Sequence, residues 1–406
     1  MGIHKDTFQA ISYDGENGIE SILKMLCKRG WKETLDQDRL IGVTRQGSAI
    51  TLEPGGQLEL SGQPHRTLLT LEKECSDHLE ELETISTPLG IEWLHMGLQP
   101  LTTLKAMSWV PKSRYRIMKE YYKSRSLSAL EMMALTSSIQ LNLDYLDEKD
   151  ARRKVHIGAA LGPVIGAMFA NAPIEEGQFN GYCSRRLAIW RKMDADRCGI
   201  RHFFVDGTFT FEKYRDFALG APMYFVVRNQ EYVSHTHHTF QDFMQEKKEN
   251  HIPTLGDWDL HLTTLFPDVR LKDHLEFRTT DSNEPPLAMA LCAFWLGALY
   301  DPGIVDQIQQ RISDFTYDEI VKAMDDAAMH GLQSKIGREP ILQVARDVVH
   351  LAAMGLSRLD RIGGRYDIRY LEPLRELLEK KMSPAEELKK SWNGKLSSLL
   401  KRKQKK

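Results

Sequence analysis

The sequence lacks both of the common loops that bind phosphate through backbone N–H groups. Neither G-x-x-x-x-G-K-[ST] nor G-x-G-x-x-G stands anywhere in its 406 residues. Nucleotide binding therefore cannot be inferred from a phosphate-binding loop. A nucleotide site in this chain would have to be built from strand side chains and metal ions.

Cysteine is scarce and neither sign of charge prevails. The five cysteines (Cys27, Cys75, Cys183, Cys198 and Cys292) form no C-x-x-C pair, which favours reduced thiols over a disulfide framework. The 54 basic and 56 acidic residues give a formal charge of -2, which argues against a surface built mainly to follow nucleic acid. The basic run at residues 401–406 is explained most simply as a solvated, frayed end, with an anionic partner as the alternative.

Long hydrophobic runs are missing as well. The longest mainly apolar stretch, residues 157–170, is interrupted by Pro163 and is too short to span a bilayer. The first residues lack the basic segment and apolar core of a secretory signal. We therefore expect a cytoplasmic protein without a membrane segment.

The chain has enough apolar residues, 42%, to bury a full core. Apolar residues at helical spacing predict helices over residues 17–29 and 67–89. Glycine-bounded segments predict strands at 40–43 and 49–53 joined by a turn at 45–47, and polar alternation predicts strands at 138–145, 223–228 and 271–278. Helices dominate after Leu287, and Ser383-Pro384 marks a helix start. Helices and strands that do not alternate regularly favour an α+β fold on an antiparallel sheet.

Three segments, two of these strands and the residues that follow Pro54-Gly55-Gly56, carry polar side chains at every second position, opposite an apolar face. The polar residues are Gln57 and Glu59, then Gln140, Asn142 and Asp144, then Glu276 and Arg278. Side chains two apart on a strand share a face. Such a face is either solvated, as is common in antiparallel sheets, or it lines a polar cavity, because a core would not tolerate these groups unpaired.

Several segments, in this order, resemble the glutamate–cysteine ligase family of the plant and proteobacterial type. The clearest are Leu52-Glu-Pro-Gly-Gly-Gln-Leu-Glu-Leu-Ser-Gly62, Pro111-Lys-Ser-Arg-Tyr-Arg-Ile-Met118, Ile139-Gln-Leu-Asn-Leu-Asp144, Phe169-Ala-Asn-Ala-Pro173, Leu275-Glu-Phe-Arg278 and Ser383-Pro-Ala-Glu-Glu387. The similarity runs from about Tyr13 to Trp392. It implies a glutamine-synthetase-like catalytic fold, with an antiparallel sheet funnel packed with helices and a helical C-terminus. The corresponding division is a single ligase domain over 1–392, helix-rich from about 287, and a basic tail over 393–406.

The resemblance also implies an activity: such enzymes use ATP and Mg²⁺ to join the γ-carboxylate of glutamate to the amine of cysteine, through an acyl phosphate. This is the first step of glutathione synthesis. The substrates would be small amino acids, with no nucleic acid or membrane involved. Mg²⁺ prefers oxygen ligands, and the polar strand faces would supply them.

Site residues follow from the resemblance position by position. Metal ligands would be Glu53, Glu59 and Glu276; nucleotide and phosphate contacts Gln140 and Asn142; substrate-binding residues Arg186, Tyr224 and Arg197; and catalytic residues Glu276 and Arg278. Arginine suits an anionic substrate because its guanidinium can hold a carboxylate in two hydrogen bonds. Several of these residues have a structural alternative. Arg186 and Arg197 could form ion pairs, and Tyr224 could be a core residue. Arg278 could serve only to orient Glu276.

Two departures from the family pattern leave alternatives open. Gly2-Ile-His4-Lys-Asp6 stands where the family has G-x-E-x-E, so His4 and Asp6 would replace two metal-binding glutamates. The start of the coding sequence could be misplaced, or metal binding could be weakened and the protein non-catalytic. After Arg278, Pro285 replaces a tryptophan of the substrate pocket, so the acceptor amine could differ from cysteine.

Other conspicuous residues have simpler explanations. His235, His237 and His238 could ligate zinc, but they fall in a variable strand and turn of the family and lack a flanking cysteine or carboxylate at ligand spacing. Trp190, Trp258 and Trp295 are expected to be core or rim aromatics rather than cofactor platforms.

Overall fold

The computed structural model describes residues 1–123, 125–246, 252–361 and 366–400. In these ranges helices are mixed with short strands, which form several small sheets. All strand pairs are antiparallel except a two-residue parallel pair, Cys198–Gly199 with Phe266–Pro267. The predicted mixture of helices and antiparallel sheets is confirmed.

The strands of the described ranges are β1 (Gly2–His4), β2 (Lys32–Asp36), β3 (Arg39–Arg45), β4 (Ser48–Leu52), β5 (Leu58–Ser61), β6 (Ile91–Trp93), β7 (Ser138–Leu143), β8 (Ile174–Glu175), β9 (Gln178–Phe179), β10 (Cys198–Gly199), β11 (Phe225–Arg228), β12 (Glu231–Ser234), β13 (Phe266–Pro267), β14 (Val269–Leu271), β15 (Leu275–Asp281), β16 (Lys335–Ile336) and β17 (Glu339–Pro340).

The helices are α1 (Ile19–Lys28), α2 (Leu68–Ser86), α3 (Ser113–Lys123), α4 (Leu127–Leu135), α5 (Glu148–Ala160), α6 (Gly162–Met168), α7 (Arg185–Arg191), α8 (His202–Val205), α9 (Phe211–Gly220), α10 (Phe240–Gln245), α11 (Leu255–Leu262), α12 (Pro285–Leu299), α13 (Pro302–Arg311), α14 (Tyr317–His330), α15 (Ile341–Arg361), α16 (Glu372–Lys380), α17 (Pro384–Ser391) and α18 (Ser397–Leu400). Short 3₁₀ segments lie at Thr87–Leu89, Gly331–Gln333 and Ile368–Leu371.

The largest sheet is a meander of four antiparallel strands in the order β2-β3-β4-β5. Its β3–β4 turn has positive φ at Gln46 and Gly47 (52° and 90°), the geometry of the two-residue hairpins that suit the twist of the strands. Helix α1 buries its apolar stripe against this sheet, where Leu26, Val43 and Ile50 share one core cluster. The predicted strands and turn of this region are confirmed.

A second sheet has the order β14-β15-β7, with β15 in the centre. Glu276 pairs with Asn142 on one side and Arg270 on the other, so these side chains share a face. The strand predicted at 271–278 is wrong at its start: Leu271 ends β14, and Lys272 N–H bonds to the His274 carbonyl in the turn before β15. The alternation alone did not reveal this turn.

The N-terminal segment forms a strand but soon turns back. Strand β1 pairs with β6, and His4 N–H then bonds to the carbonyl of Gln9, closing a tight return. His4 is partly exposed and Asp6 is exposed in the turn. Neither side chain is buried.

Helices dominate after β15, as predicted. Helix α12 crosses α15 where glycines face each other: a Cβ on Gly297 would lie 2.0 Å from the carbonyl oxygen of Ala352, so only glycine permits this approach. Of the predicted tail, Leu399 is buried in a cluster with Ile3 and Leu388, whereas 401–406 lie outside the described ranges. No single helix in the described ranges is long and apolar enough to cross a membrane, although α12 and α13, bent by 96°, pass that test as a pair.

Candidate active site

The segment Glu53-Pro54-Gly55-Gly56 forms a tight turn between β4 and β5. Gly56 N–H bonds to the Glu53 carbonyl at 2.9 Å, and a Cβ on Gly55 would lie 2.0 Å from the backbone oxygen of Ala134. Gln57 holds the turn from inside, accepting from Gly55 N–H at 2.9 Å and donating to the Thr136 carbonyl at 2.8 Å. Gln57 is thus a structural residue, not a member of the polar face.

Glu53 and Glu59, at the two ends of this turn, lie beside each other. The two carboxyl groups are close enough for the charge of Glu53 to act on Glu59. Burial, reinforced by the negative charge of Glu53, raises the pKa of Glu59 to about 7. A bound dication would favour the ionised form of Glu59, because its positive charge offsets both burial and the negative charge of Glu53.

Arg278 and Glu276 form the polar face of β15 and are buried, at 9% and 3% exposure. Arg278 pairs with Glu276 and donates through Nη1 to Gln140 Oε1 at 3.0 Å. Arg270 donates to the other Glu276 oxygen through Nε at 3.2 Å. Burial raises the pKa of Glu276, but Arg278 and Arg270 outweigh it and lower the pKa to about 2.

Strand β7 differs from β15 in its exposure. Gln140 and Asn142 point to solvent, so the solvated alternative is correct for their strand and wrong for Glu276 and Arg278. The charges of Arg278 and Glu276 both act on Glu59, so the polar face of β15 lies within electrostatic range of this carboxyl. In the described part of the chain, however, no three His, Cys, Asp or Glu side chains are placed to hold one metal ion. The Glu276 oxygens are turned toward the arginines instead.

Two basic residues that sequence reasoning left without a role border Glu53 and Glu59. Lys112 Nζ donates to the Leu52 carbonyl at 2.7 Å; burial lowers its pKa to about 8, against the pull of the two glutamates. Arg114 lies over Tyr115, 5.2 Å from the ring centre, and its Nε is buried without an acceptor in the described residues. Both residues lie in the segment 111–118, which resembles the family. They stand at the start of α3, where no strand alternation marks a polar face.

Arg186 is buried behind β15, at 2% exposure. It donates to the Arg278 carbonyl at 3.0 Å and lies 3.7 Å from Asp281 Oδ1. Asp281 also accepts from Asn171 N–H at 2.7 Å and Ser184 Oγ–H at 2.8 Å. Burial raises the pKa of Asp281 to about 6, with Arg186 opposing it. The structure therefore brings Arg186 next to Arg278, as one arginine pair.

Arg197 and Tyr224 lie in a different environment. Every N–H of Arg197 has an acceptor in the protein: Asp194 Oδ2 at 2.8 Å, the Thr264 carbonyl and hydroxyl at 3.1 and 3.3 Å, Tyr121 OH at 3.5 Å and the Pro222 carbonyl at 2.6 Å. Its guanidinium lies 3.9 Å from the Tyr224 ring centre, and the Tyr224 hydroxyl hydrogen-bonds to Tyr122. Arg197 thus has no N–H left for a substrate.

The remaining residues of interest have structural contacts. His238 Nε2 pairs with Glu246 at 2.9 Å, and His235 packs against Phe243. Trp295 is a core residue at 1% exposure, and Trp258 packs against Phe240. Trp190, by contrast, lies beside Arg186 and Arg278.

Two neighbouring carboxyl groups, one with a raised pKa, beside a buried arginine pair are typical of an enzyme that acts on anionic substrates with the help of a cation. The chain matches the family model described as glutamate-cysteine ligase family 2 (GCS2) over residues 1–402. It belongs to that family, and the predicted membership is confirmed.

Individual relatives agree with the family model. The chain is 38% identical to a chloroplastic glutamate–cysteine ligase of Solanum lycopersicum, over 97% of this chain and 75% of the relative. It is 38% identical to glutamate–cysteine ligase A of Oryza sativa subsp. indica (96% and 78% covered) and 37% identical to the Brassica juncea enzyme (97% and 76% covered). All three are named as chloroplastic, which overturns the prediction of a cytoplasmic protein. That prediction rested on a missing secretory pattern, which does not define a compartment.

Proposed function

We propose that this protein is an ATP-dependent ligase that joins the γ-carboxylate of glutamate to the amine of cysteine through an acyl phosphate. One observation supports the proposal most directly: the charges of Glu53, Glu276 and Arg278 all act on Glu59. All four residues stand in the segments 52–62 and 275–278, which resemble the family. Family membership and the relatives' activity support the ligase chemistry. We further propose that residues 1–392 act as one catalytic domain with a glutamine-synthetase-like sheet funnel.

The residues present fit ATP and Mg²⁺ by their chemistry. Glu53, Glu59 and Glu276 would hold Mg²⁺, with Gln140 and Asn142 along the nucleotide phosphates, because hard cations prefer carboxylate and amide oxygens. When bound, the metal would neutralise the phosphates and polarise the transferred phosphoryl group. The raised pKa of Glu59 marks a place where positive charge is favourable.

The arginine pair supplies the rest of the proposed chemistry. Arg278 would stabilise charge on the transferred phosphoryl group, since preorganised donors act most strongly on charge that develops in the transition state. Arg186 would hold a carboxylate of glutamate, positioned by Asp281. Arg197 is fully hydrogen-bonded within the protein. We therefore propose that Arg197 and Tyr224 support the wall of the substrate pocket.

The test is a product assay. Purified protein with ATP, Mg²⁺ and glutamate should release phosphate only when an acceptor amine is added, and mass spectrometry of a panel of amines should show γ-glutamylcysteine as the main product. Another preferred amine would support the alternative raised by Pro285. Nucleotide binding without turnover across the panel would instead support a non-catalytic protein, the alternative raised by His4 and Asp6.

A further inference from the structure

Trp190 lies beside both arginines of the proposed site. It stands on α7, one turn after Arg186, and its ring centre is 5.5 Å from the Arg186 guanidinium carbon and 5.4 Å from that of Arg278. The Arg186 hydrogen bond to the Arg278 carbonyl fixes the two arginines relative to each other. One indole is therefore bordered by both cations.

Each of these three side chains has a buried N–H without a partner. Arg186 Nε, Trp190 Nε1 and Arg278 Nε have no acceptor in the described residues, although Arg186 and Arg278 are at least nine-tenths buried. Buried N–H groups are almost always paired. Three such donors around one ring point to an acceptor that comes from outside the chain.

The required acceptor is an oxyanion. A carboxylate or phosphoryl group offers several acceptor oxygens, whereas the indole N–H and the guanidinium can only donate. The carboxylates near the arginine pair do not fill this role: Asp281 lies toward Arg186 Nη1, and Asp268, whose charge reaches both arginines, has a buried Oδ2 without a hydrogen-bond partner.

We propose that Trp190 is a substrate-binding residue whose indole N–H donates to the same oxyanion that Arg186 and Arg278 hold. This inference rests on the proposed function and adds a donor to its site. The oxyanion is either the glutamate carboxylate or the phosphoryl group of the nucleotide, and titrations with separate ligands distinguish them.

The ring itself is held independently of its N–H. Trp190 meets Phe266 edge to face at a centroid distance of 6.2 Å, and Arg278 lies 5.5 Å from the Phe266 ring centre. Phenylalanine at position 190 would keep an aromatic ring beside the arginines and remove the donor. Trp190→Phe is therefore the test variant, and Trp258→Phe, which alters a tryptophan packed on Phe240 away from this cluster, is the matched control.

Wild type and both variants would be titrated separately with inorganic phosphate and with glutamate, followed by tryptophan emission, and assayed for the KM of glutamate and of ATP. We expect Trp190→Phe to bind one of the two anions about tenfold more weakly, and to lose the emission change that this anion causes in wild type. Trp258→Phe should remain within twofold of wild type. The anion that is affected identifies the bound group.

Unchanged affinity for both anions and unchanged KM values in Trp190→Phe would overturn the inference while leaving the proposed function intact. Conversely, wild type could make no γ-glutamyl product while Trp190→Phe still binds the anion more weakly than wild type does. That result would overturn the proposed function and leave the inference intact. If the variant does not fold, ¹⁵N-tryptophan NMR of wild type decides: one indole N–H resonance should shift on anion addition and persist in Trp258→Phe, and the absence of any shift would contradict the proposal.

Discussion

The two buried arginine clusters of this protein differ in how fully they are satisfied. Arg197 finds an acceptor for every N–H within the chain, whereas Arg186 and Arg278 each keep an unpartnered buried Nε. All three arginines resembled substrate-binding or catalytic residues at the level of sequence. We infer from this difference that Arg197 supports the fold, whereas Arg186 and Arg278 keep donors that a ligand can use.

The largest effect is expected from removing the saturated arginine. Arg197→Met should lower the free energy of unfolding by about 3–5 kcal/mol, because it leaves the buried Asp194 carboxylate without its cation. Urea unfolding followed by circular dichroism measures this. A loss below about 1 kcal/mol would show that the cluster does not support the fold.

Replacing an unsaturated arginine should act on catalysis instead. Arg278→Lys keeps a positive charge beside Glu276 but loses the guanidinium donors, so kcat should fall about 10²–10³-fold, as for other lost transition-state donors. Steady-state kinetics at saturating substrates, with the folded fraction checked by circular dichroism, measures the change. A kcat within twofold of wild type would show that Arg278 is a structural arginine, and the contrast between Arg278 and Arg197 would no longer hold.

The environment of Arg186 predicts a pH dependence. The pKa of Asp281 is raised to about 6 in the folded protein, above its ordinary value near 3.8, so the folded state binds the proton more tightly than the unfolded state. Stability should therefore fall as pH rises from about 4 to 6, by about 2 kcal/mol for a shift of this size. Urea unfolding from pH 4 to 7 should show this fall in wild type and a flatter profile in Asp281→Asn. Equal slopes in the two proteins would contradict the assignment.

The smallest effect is expected at an exposed ion pair far from either cluster. Lys73 and Asp77 pair at 2.8 Å on α2 with most of their surface in water, so Lys73→Ala should change the free energy of unfolding by no more than about 0.5 kcal/mol. The same unfolding measurement sets the baseline for the buried arginines. A loss as large as that of Arg197→Met would mean that burial does not decide how much an ion pair stabilises this protein.

Much of the fold could be predicted because its signals are local. The apolar stripe of α1, the Gln46–Gly47 turn and the Ser383 cap are set by neighbouring residues. The turn between β14 and β15 was missed although Lys272, Asp273 and His274 are three polar residues in a row, which interrupts the alternation. The size of each sheet depends on pairings between distant segments, which a single sequence does not define.

The candidate site shows the same difference between local signals, which a sequence contains, and long-range packing, which it does not define. Glu276 and Arg278 could be placed on one face by strand spacing, and the resemblance gave them roles. Lys112 could not be found in this way, because it meets Glu53 and Glu59 only through tertiary packing. Nor could the sequence tell that Glu276 is buried between two arginines while Asn142, its partner on the next strand, stays in solvent.

The most direct test compares wild type with Glu276→Gln in the formation of γ-glutamylcysteine from ATP, glutamate and cysteine, quantified by mass spectrometry per folded molecule. Glutamine keeps the shape of the side chain but removes the charge that binds both arginines and would hold the metal. We expect product from wild type and at least a hundredfold less from the variant. Equal product from both proteins would show that the face of β15 is not the catalytic site.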